Sequence, residues 1–355
     1  MYLKRIDALR EKLTENSALL VKNNANVMYL SGLMNTEGLL LISKESFAYF
    51  ADSRYIEYAK NTLKYGEAVL FTNLFESVND YLAEHNIKEL YFEGDTLTFS
   101  EVLLYKEKLN VSINDGNEPA KKLYEMREIK DESEIKSIKL AQEITDSAFS
   151  YILDRIKVGA TEREIALDLE FFMRKSGSEG MAFDVIAVSG KNSSLPHGVP
   201  SNKKIEKGDF LTLDFGAVYG GYRSDMTRTV AIGNITNEQR EVYNIVLSAQ
   251  KAALAGISAD KKCCDIDKAA RDVIDNAGFK GCFGHALGHS VGLNIHETPN
   301  LSPKSVSVLK SGNVVTVEPG IYIENTFGVR IEDMVVVREN GIENLTKSTK
   351  ELIII

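Results

Sequence analysis

Residues Phe210–Val230 read FLTLDFGAVYGGYRSDMTRTV. Phe210, Leu211, Leu213 and Phe215 form an apolar run of strand-forming residues. Gly220-Gly221 is a turn signal, since both central positions of a tight hairpin turn call for positive φ. Thr227, Thr229 and Val230 resume strand-type residues beyond it. A two-residue turn here sets Tyr219 opposite Tyr222 and Asp214 opposite Thr227. Side chains alternate faces with period two, so Asp225 shares the face of Thr227 and lies diagonally across from Asp214. A loop one residue longer would separate the two acids unless a bulge restored the register. Carboxylates converging on a largely apolar ribbon repel unless something neutralises them. A divalent metal would do so through the oxygen ligands that hard cations favour. For this hairpin alone, two aspartates facing solvent beside the turn is the other reading.

The chain repeats part of the pattern. Gly208–Gly216 (GDFLTLDFG) aligns with Gly312–Gly320 (GNVVTVEPG). Only two copies occur, which indicates a duplicated unit rather than a solenoid. A second β-rich run, Gly328–Val337, follows. Glu318 and Glu332 thereby take the places of Asp214 and Asp225, with a different turn between them. Arg330 stands two residues before Glu332 and projects from the same face, offering a bidentate positive fork beside the acids. Between the hairpins lie GHALGHSVG and then His296-Glu297-Thr298-Pro299. Three of the five histidines of the chain, His285, His289 and His296, fall in this short region. Its glycine spacing disfavours a regular helix, so His285 and His289 are expected on one face of a strand or extended segment.

These residues resemble those of the pita-bread metallopeptidases. The set Asp214, Asp225, His289, Glu318 and Glu332 is similar to the five-ligand dinuclear centre of that family, with the expected residue type at each position. LDFGAVYGGYRSDMTRT, GHALGHSVGLNIHE, TVEPGIY and GVRIEDMVVV resemble its proline-specific branch, prolidase and aminopeptidase P, as do His296-Glu297-Thr298-Pro299 and Arg330. The likeness is strong over residues 125–355. It is weaker before them, through Thr36–Leu40 and Ala51–Tyr55. It implies an α+β protein: an N-terminal α/β domain of the creatinase/prolidase type over 1–125, and a pita-bread domain over 126–355 built of pseudo-twofold helix–hairpin units.

Composition agrees with a soluble chain of more than one domain. At 355 residues two domains are expected. The net charge of −9 argues against nucleic acid and against an anionic membrane surface. The opening MYLKRIDALREKL lacks an apolar stretch of signal-peptide length, and no run approaches a membrane span. Cys263, Cys264 and Cys282 make a poor disulfide framework and lack zinc-site spacing, which suits a reducing cytoplasm.

Along the chain, Ile6, Leu9 and Leu13 suggest an opening amphipathic helix. Strands are expected at Ala18–Val21, Gly38–Ile42, Phe47–Phe50 and Leu90–Phe92, and helices at Ser53–Tyr65 and Phe75–His85. Asp52 or Ser53 is a candidate N-cap. The domain boundary is expected near Tyr124–Arg127. One long helix is read over Ile129–Ile156, and Thr161–Glu164 is a capping box opening the next, to about Lys175. A strand follows at Ala182–Val188, then a loop, Ser189–Pro200, with His197 between Pro196 and Gly198. A loop histidine so flanked has few packing reasons to be there. Thr236 should cap a helix over Asn237–Ala255, followed by another over Asp265–Asn276.

The resemblance also implies a chemistry. Two divalent ions would share a bridging hydroxide that attacks the carbonyl before proline. Asp225 and Glu332 would bridge the ions, Asp214 would chelate one, and His289 with Glu318 would complete the other. Glu318 would shuttle protons. His197 and His296 would contact substrate or oxyanion, His285 would border the proline pocket, and Arg330 would orient the acids. Mn²⁺ is the first expectation, with Co²⁺ or Zn²⁺ able to substitute. The implied substrates are proline-containing di- or oligopeptides and the implied assembly a homodimer, in which Arg54 is a candidate to border the neighbour's site. A dipeptidase is the first reading and an Xaa-Pro aminopeptidase the second. A metal-free binding protein on the same fold, or a metal-free creatinase-type hydrolase, would lack ligand residues, and none of the five is missing.

Overall fold

The computed structural model describes residues 2–34, 36–114, 116 and 118–355. The chain forms two compact units, Met1–Arg127 and Glu128–Ile355. Among the described residues no helix is long and apolar enough to cross a membrane.

The first unit is α/β. It begins with α1 (Tyr2–Arg10), β1 (Ser17–Val21), α2 (Asn24–Ser31), β2 (Gly38–Ser43) and β3 (Phe47–Ala51). It continues with α3 (Ile56–Thr62), β4 (Glu67–Leu70), α4 (Leu74–Glu84), β5 (Glu89–Phe92), α5 (Phe99–Lys108), β6 (Ser112–Ile113) and α6 (Glu118–Glu128). Its six strands form one mixed sheet in the order β4-β3-β2-β1-β5-β6. The run Ala18–Val21 is apolar at every position because both faces of the central strand are covered. Ala18 and Leu20 pack in a core that includes Val78, Tyr81 and Leu82 of α4.

The second unit opens with two helices, α7 (Glu132–Leu153) and α8 (Glu162–Lys175). Then come β7 (Ile186–Ser189), β8 (Phe210–Phe215), β9 (Val218–Tyr219), β10 (Tyr222–Arg223) and β11 (Met226–Ala231). A second helix pair follows, α9 (Asn237–Gly256) and α10 (Cys263–Ile274). The rest is strand: β12 (Gly288–Ser290), β13 (Glu297–Leu301), β14 (Val314–Val317), β15 (Gly320–Ile323), β16 (Phe327–Arg330), β17 (Asp333–Arg338) and β18 (Gly341–Asn344). Helix pair, hairpin, helix pair, hairpin is thus the order of the unit. One core packs α7 and α8 residues such as Phe149, Ile152 and Leu169 with Leu211 and Leu213 of β8. The other packs Val246 and Ala270 of the second pair with Val315 and Val335.

The duplication extends to the backbone. Gly208 and Gly312 have φ of +90° and +93°, a region that suits only glycine well. Asp209 Oδ2 accepts a hydrogen bond from Glu206 N at 3.0 Å, and Asn313 Oδ1 accepts one from Lys310 N at 2.7 Å. Each copy therefore enters its strand through the same turn, three residues back to the side chain.

The first hairpin has the register read from its glycines. Tyr219 pairs with Tyr222 and Asp214 with Thr227, and Gly220 and Gly221 both have positive φ. The capping boxes at Thr161 with Glu164 and at Thr236 with Gln239 are formed.

Four local readings change. The long helix starts at Glu132, not Ile129, because Asp131 caps it with a box to Glu134 and the preceding helix has ended at Glu128. The strand expected from Ala182 begins only at Ile186, where pairing with Asp214 starts. The helix expected over Ser53–Tyr65 spans Ile56–Thr62 and has no side-chain cap, because Asp52 Oδ1 instead accepts from Arg54 N at 2.8 Å. The helix expected from Asp265 begins at Cys263.

Candidate metal centre

Hairpin geometry delivers the acids. Asp214 sits near the end of β8 and Asp225 just before β11, so the strand pair presents both on one face. Glu318 follows β14 directly and Glu332 directly precedes β17. Val317 pairs with Asp333 and Gly320 with Arg330, a register that sets Glu318 opposite Glu332. The second pair is therefore directly opposed, where the first is diagonal. The hairpins meet edge to edge: Glu332 N donates to Thr227 O at 3.1 Å, and Arg330 N donates to Thr229 Oγ1 at 3.2 Å.

Carboxylate oxygens of Asp214, Asp225 and Glu332 lie within 4.8 Å of one another. His289 Nε2 is 3.6 Å from Asp225 Oδ2 and 3.4 Å from Glu318 Oε1. These five side chains line a cavity of about 660 Å³, together with His197, His285, His296 and Arg330. Nine of the ten candidates drawn from the sequence thus converge on one cavity. His289 is on β12, while His285 lies just ahead of the strand, so the two reach the cavity from different backbone segments. Arg54 stands in the first unit, exposed, and pairs with Asp52 and Glu37.

Burial makes the acids costly. It pushes Asp225 and Glu332 well above the usual carboxylate range, and neighbouring acids add to the shift. Glu318 is pushed up to about 8, again chiefly by burial. His289 is lowered to about 4 by burial and then by His296, so near neutral pH its ring is uncharged. Its closeness to Asp225 and Glu318 is therefore not an ion pair. Its Nδ1 faces Ser290 O at 3.2 Å and donates to it, which turns the Nε2 lone pair toward the acids.

The donor set fits divalent cations. Four carboxylates face one guanidinium, an imbalance that two such ions would offset. Asp214 Oδ1 and Glu332 Oε1 are buried with no hydrogen-bond partner among the described residues. Unsatisfied buried carboxylate oxygens are costly unless something else occupies them. Three other carboxylate oxygens are held in place. Thr227 Oγ1 donates to Glu332 Oε2 at 2.7 Å, and Thr316 Oγ1 donates to Glu318 Oε1 at 3.0 Å. Arg330 Nη2 donates to Asp214 Oδ2 at 2.6 Å, and its Nε donates to Thr227 Oγ1 at 3.0 Å.

Sequence reasoning missed Thr227, Thr316 and Tyr322. Arg330 Nη1 donates to Tyr322 Oη at 2.8 Å, and Tyr322 Oη lies 2.9 Å from His285 Nε2. The hydroxyl, receiving from arginine, donates to the imidazole. His285 Nδ1 then donates to Ala286 O at 2.8 Å, and burial lowers this histidine to about 4. Both ring nitrogens are occupied, so His285 offers the cavity a neutral ring surface. Strand alternation held a signal for the threonines: Thr227 shares the face of Asp225, and Thr316 that of Glu318.

The pattern described as "Metallopeptidase family M24" matches residues 136–339, and "Creatinase/Prolidase N-terminal domain" matches residues 5–129. A protein named Xaa-Pro dipeptidase from Pyrococcus furiosus is 40% identical, the alignment covering 98% of this chain and 99% of that one. The solved Xaa-Pro dipeptidase from Bacillus anthracis superposes with a TM-score of 0.95 at 42% identity, covering 100% of both chains. The X-Pro aminopeptidase from Thermotoga maritima superposes with a TM-score of 0.91 at 36% identity, covering 100% of this chain and 99% of that one.

Proposed function

Because the chain belongs to metallopeptidase family M24, we propose that it is an Xaa-Pro dipeptidase, a prolidase, that works with two divalent ions. The observation that supports this most is the closure of Asp214, Asp225, His289, Glu318 and Glu332 on one cavity with two unsatisfied buried oxygens. Relatives named Xaa-Pro dipeptidase at about 40% identity supply the substrate class.

In this reading Asp214, Asp225, His289, Glu318 and Glu332 would hold the two ions, Asp225 and Glu332 serving both, Asp214 one, and His289 with Glu318 the other. Bound ions of this kind supply a nucleophile at neutral pH by lowering the pKa of water, and they polarise a carbonyl. The side chains do the rest. Arg330 fixes Asp214 and, through Thr227, Glu332. Glu318 passes a proton toward the leaving imide nitrogen. His197 and His296 donate to the carbonyl oxygen of the scissile bond as it gains charge. The ring surface of His285 walls the proline side. Proline has no N–H and a fixed φ, so a peptidase that relies on that donor fails on it. A cavity that grips the carbonyl and the acyl side does not need it. Acid-rich donors favour a hard ion, and Mn²⁺ is our assignment, with Co²⁺ or Zn²⁺ as substitutes. Three free thiols suit a reducing cytoplasm. A homodimer completes the reading, and gel filtration tests it.

The solved relative named X-Pro aminopeptidase keeps a second reading open, cleavage of longer Xaa-Pro peptides. The deciding experiment is hydrolysis of Ala-Pro and Ala-Pro-Ala by protein stripped of metal and then reloaded with Mn²⁺. Cleavage of the dipeptide, restored by metal, is expected. Cleavage of the tripeptide alone makes the protein an aminopeptidase. Failure on both, with no stoichiometric metal bound, refutes either activity and leaves a binding protein on the same fold.

A further inference from the structure

We propose that Lys130 is a positioning residue for the site: its buried ammonium sets the spacing between β12, which carries His289, and β13, which His296 immediately precedes. The inference rests on the prolidase reading for its consequence, not for its geometry.

Lys130 precedes α7 and lies outside the cavity. Its Nζ is 3.0 Å from Glu297 Oε2 and donates to Ser290 Oγ at 3.1 Å. The side chains of Lys130 and Glu297 are 1% and 7% exposed. Ser290 follows His289 on β12, and Glu297 follows His296 at the start of β13. One ammonium therefore touches the residue next to each histidine.

The contact falls where the sheet cannot hold its own register. His289 pairs with Asn300, but Ser290 pairs with Glu297, so the β12–β13 ladder shifts between adjacent residues. Thr298 and Pro299 are the residues passed over, and Pro299 has no N–H to give a ladder. The shift leaves His289 and His296 with ring centroids 4.4 Å apart and planes at 73°. The main chain of Lys130 is anchored independently, with N donating to Gly312 O at 2.9 Å at the entrance to β14. Glu297 Oε1 also accepts from Asn294 N at 3.0 Å, which binds the intervening loop to the same pair. A buried ion pair is a poor source of stability, since two apolar residues of like volume often serve as well or better. Its value here is geometric: it bridges two strands at the one point where backbone pairing changes step.

The test uses metal-free, ¹⁵N-labelled full-length protein as wild type, Lys130→Met and Lys130→Arg. Imidazole resonances and Mn²⁺ binding isotherms are recorded for each. In Lys130→Met the His289 and His296 resonances should move, and Mn²⁺ affinity should fall about ten- to hundredfold, as for other groups that orient a ligand through a neighbour. Lys130→Arg should recover most of that loss. A folded Lys130→Met protein with both resonances unmoved and an isotherm within about twofold of wild type overturns the proposal. Should Lys130→Met not fold, Glu297→Gln keeps the shape and carries the same test, read at His289. A wild-type protein that neither binds Mn²⁺ nor cleaves Ala-Pro refutes the prolidase reading alone, because the resonances still decide the positioning.

Discussion

Thr227 on the first hairpin donates its hydroxyl to Glu332 Oε2 on the second at 2.7 Å, and it receives Arg330 Nε at 3.0 Å. One hydroxyl thus couples an acid and an arginine of one repeat to a strand of the other. Thr227→Val keeps the shape and removes both bonds. We expect Mn²⁺ affinity or kcat/KM to drop about 10- to 100-fold, while the protein remains folded. Titration calorimetry and dipeptide turnover check this, and wild-type values in both would show the bond to be dispensable.

Asp225→Ala and Glu332→Ala remove acids that, in the proposed arrangement, would each serve both ions. Activity should vanish because the metal is lost. Metal analysis of the purified variants is the measurement. An Asp225→Ala protein with wild-type turnover and full metal content would sink the assignment.

Glu318 gives the metal-free protein a pH dependence of definite sign. Its carboxyl rises from 4.5 to about 8 on folding, mainly through burial. The folded state then holds a proton that the unfolded chain has released. Metal-free protein should lose stability as pH rises from about 6.5 to about 8, above the range in which the buried His285 and His289 rings contribute with the opposite sign. Saturating Mn²⁺ should flatten or reverse the slope, since it replaces the proton. Urea denaturation at several pH values, with and without metal, reads this directly.

Arg228 is almost wholly buried. Its Nη2 donates to Asp333 Oδ1 at 2.9 Å and to Ser348 O at 2.7 Å, and its Nε donates to Thr349 O at 2.9 Å. It also donates to Glu332 O. Arg228→Met strands a buried carboxylate and several carbonyls, so a loss of about 3–5 kcal/mol is expected in urea unfolding. A loss below about 1 kcal/mol would show that Lys350, 2.6 Å from Asp333 Oδ2, and Asn344, whose Nδ2 donates to the same oxygen at 2.8 Å, suffice together.

Much of the site was legible because its geometry is local. Two glycines set the register of the first hairpin, and register alone placed Asp214 and Asp225 on one face. The second pair followed from aligning Gly208–Gly216 with Gly312–Gly320. The break before α7 was less visible, since nothing in REIKDESEI is a strong helix breaker, although Asp131 and Glu134 do have capping-box spacing. What could not be read were partners set by folding: Lys130 with Glu297, Arg228 with Asp333, and Tyr322 between Arg330 and His285. Each joins residues whose pairing depends on how separate elements pack, and neither periodicity nor propensity carries that information.

The two partnerless oxygens, Asp214 Oδ1 and Glu332 Oε1, bear on how long the chain survives in a cell. Without a cation they stay buried and unpaired, which costs the folded state. An ion at a hundred times its dissociation constant would add about 2.7 kcal/mol to the folded state. Chains made when that ion is scarce would open more often and meet proteases more often. The amount of protein at steady state would then follow metal supply, even where synthesis does not change.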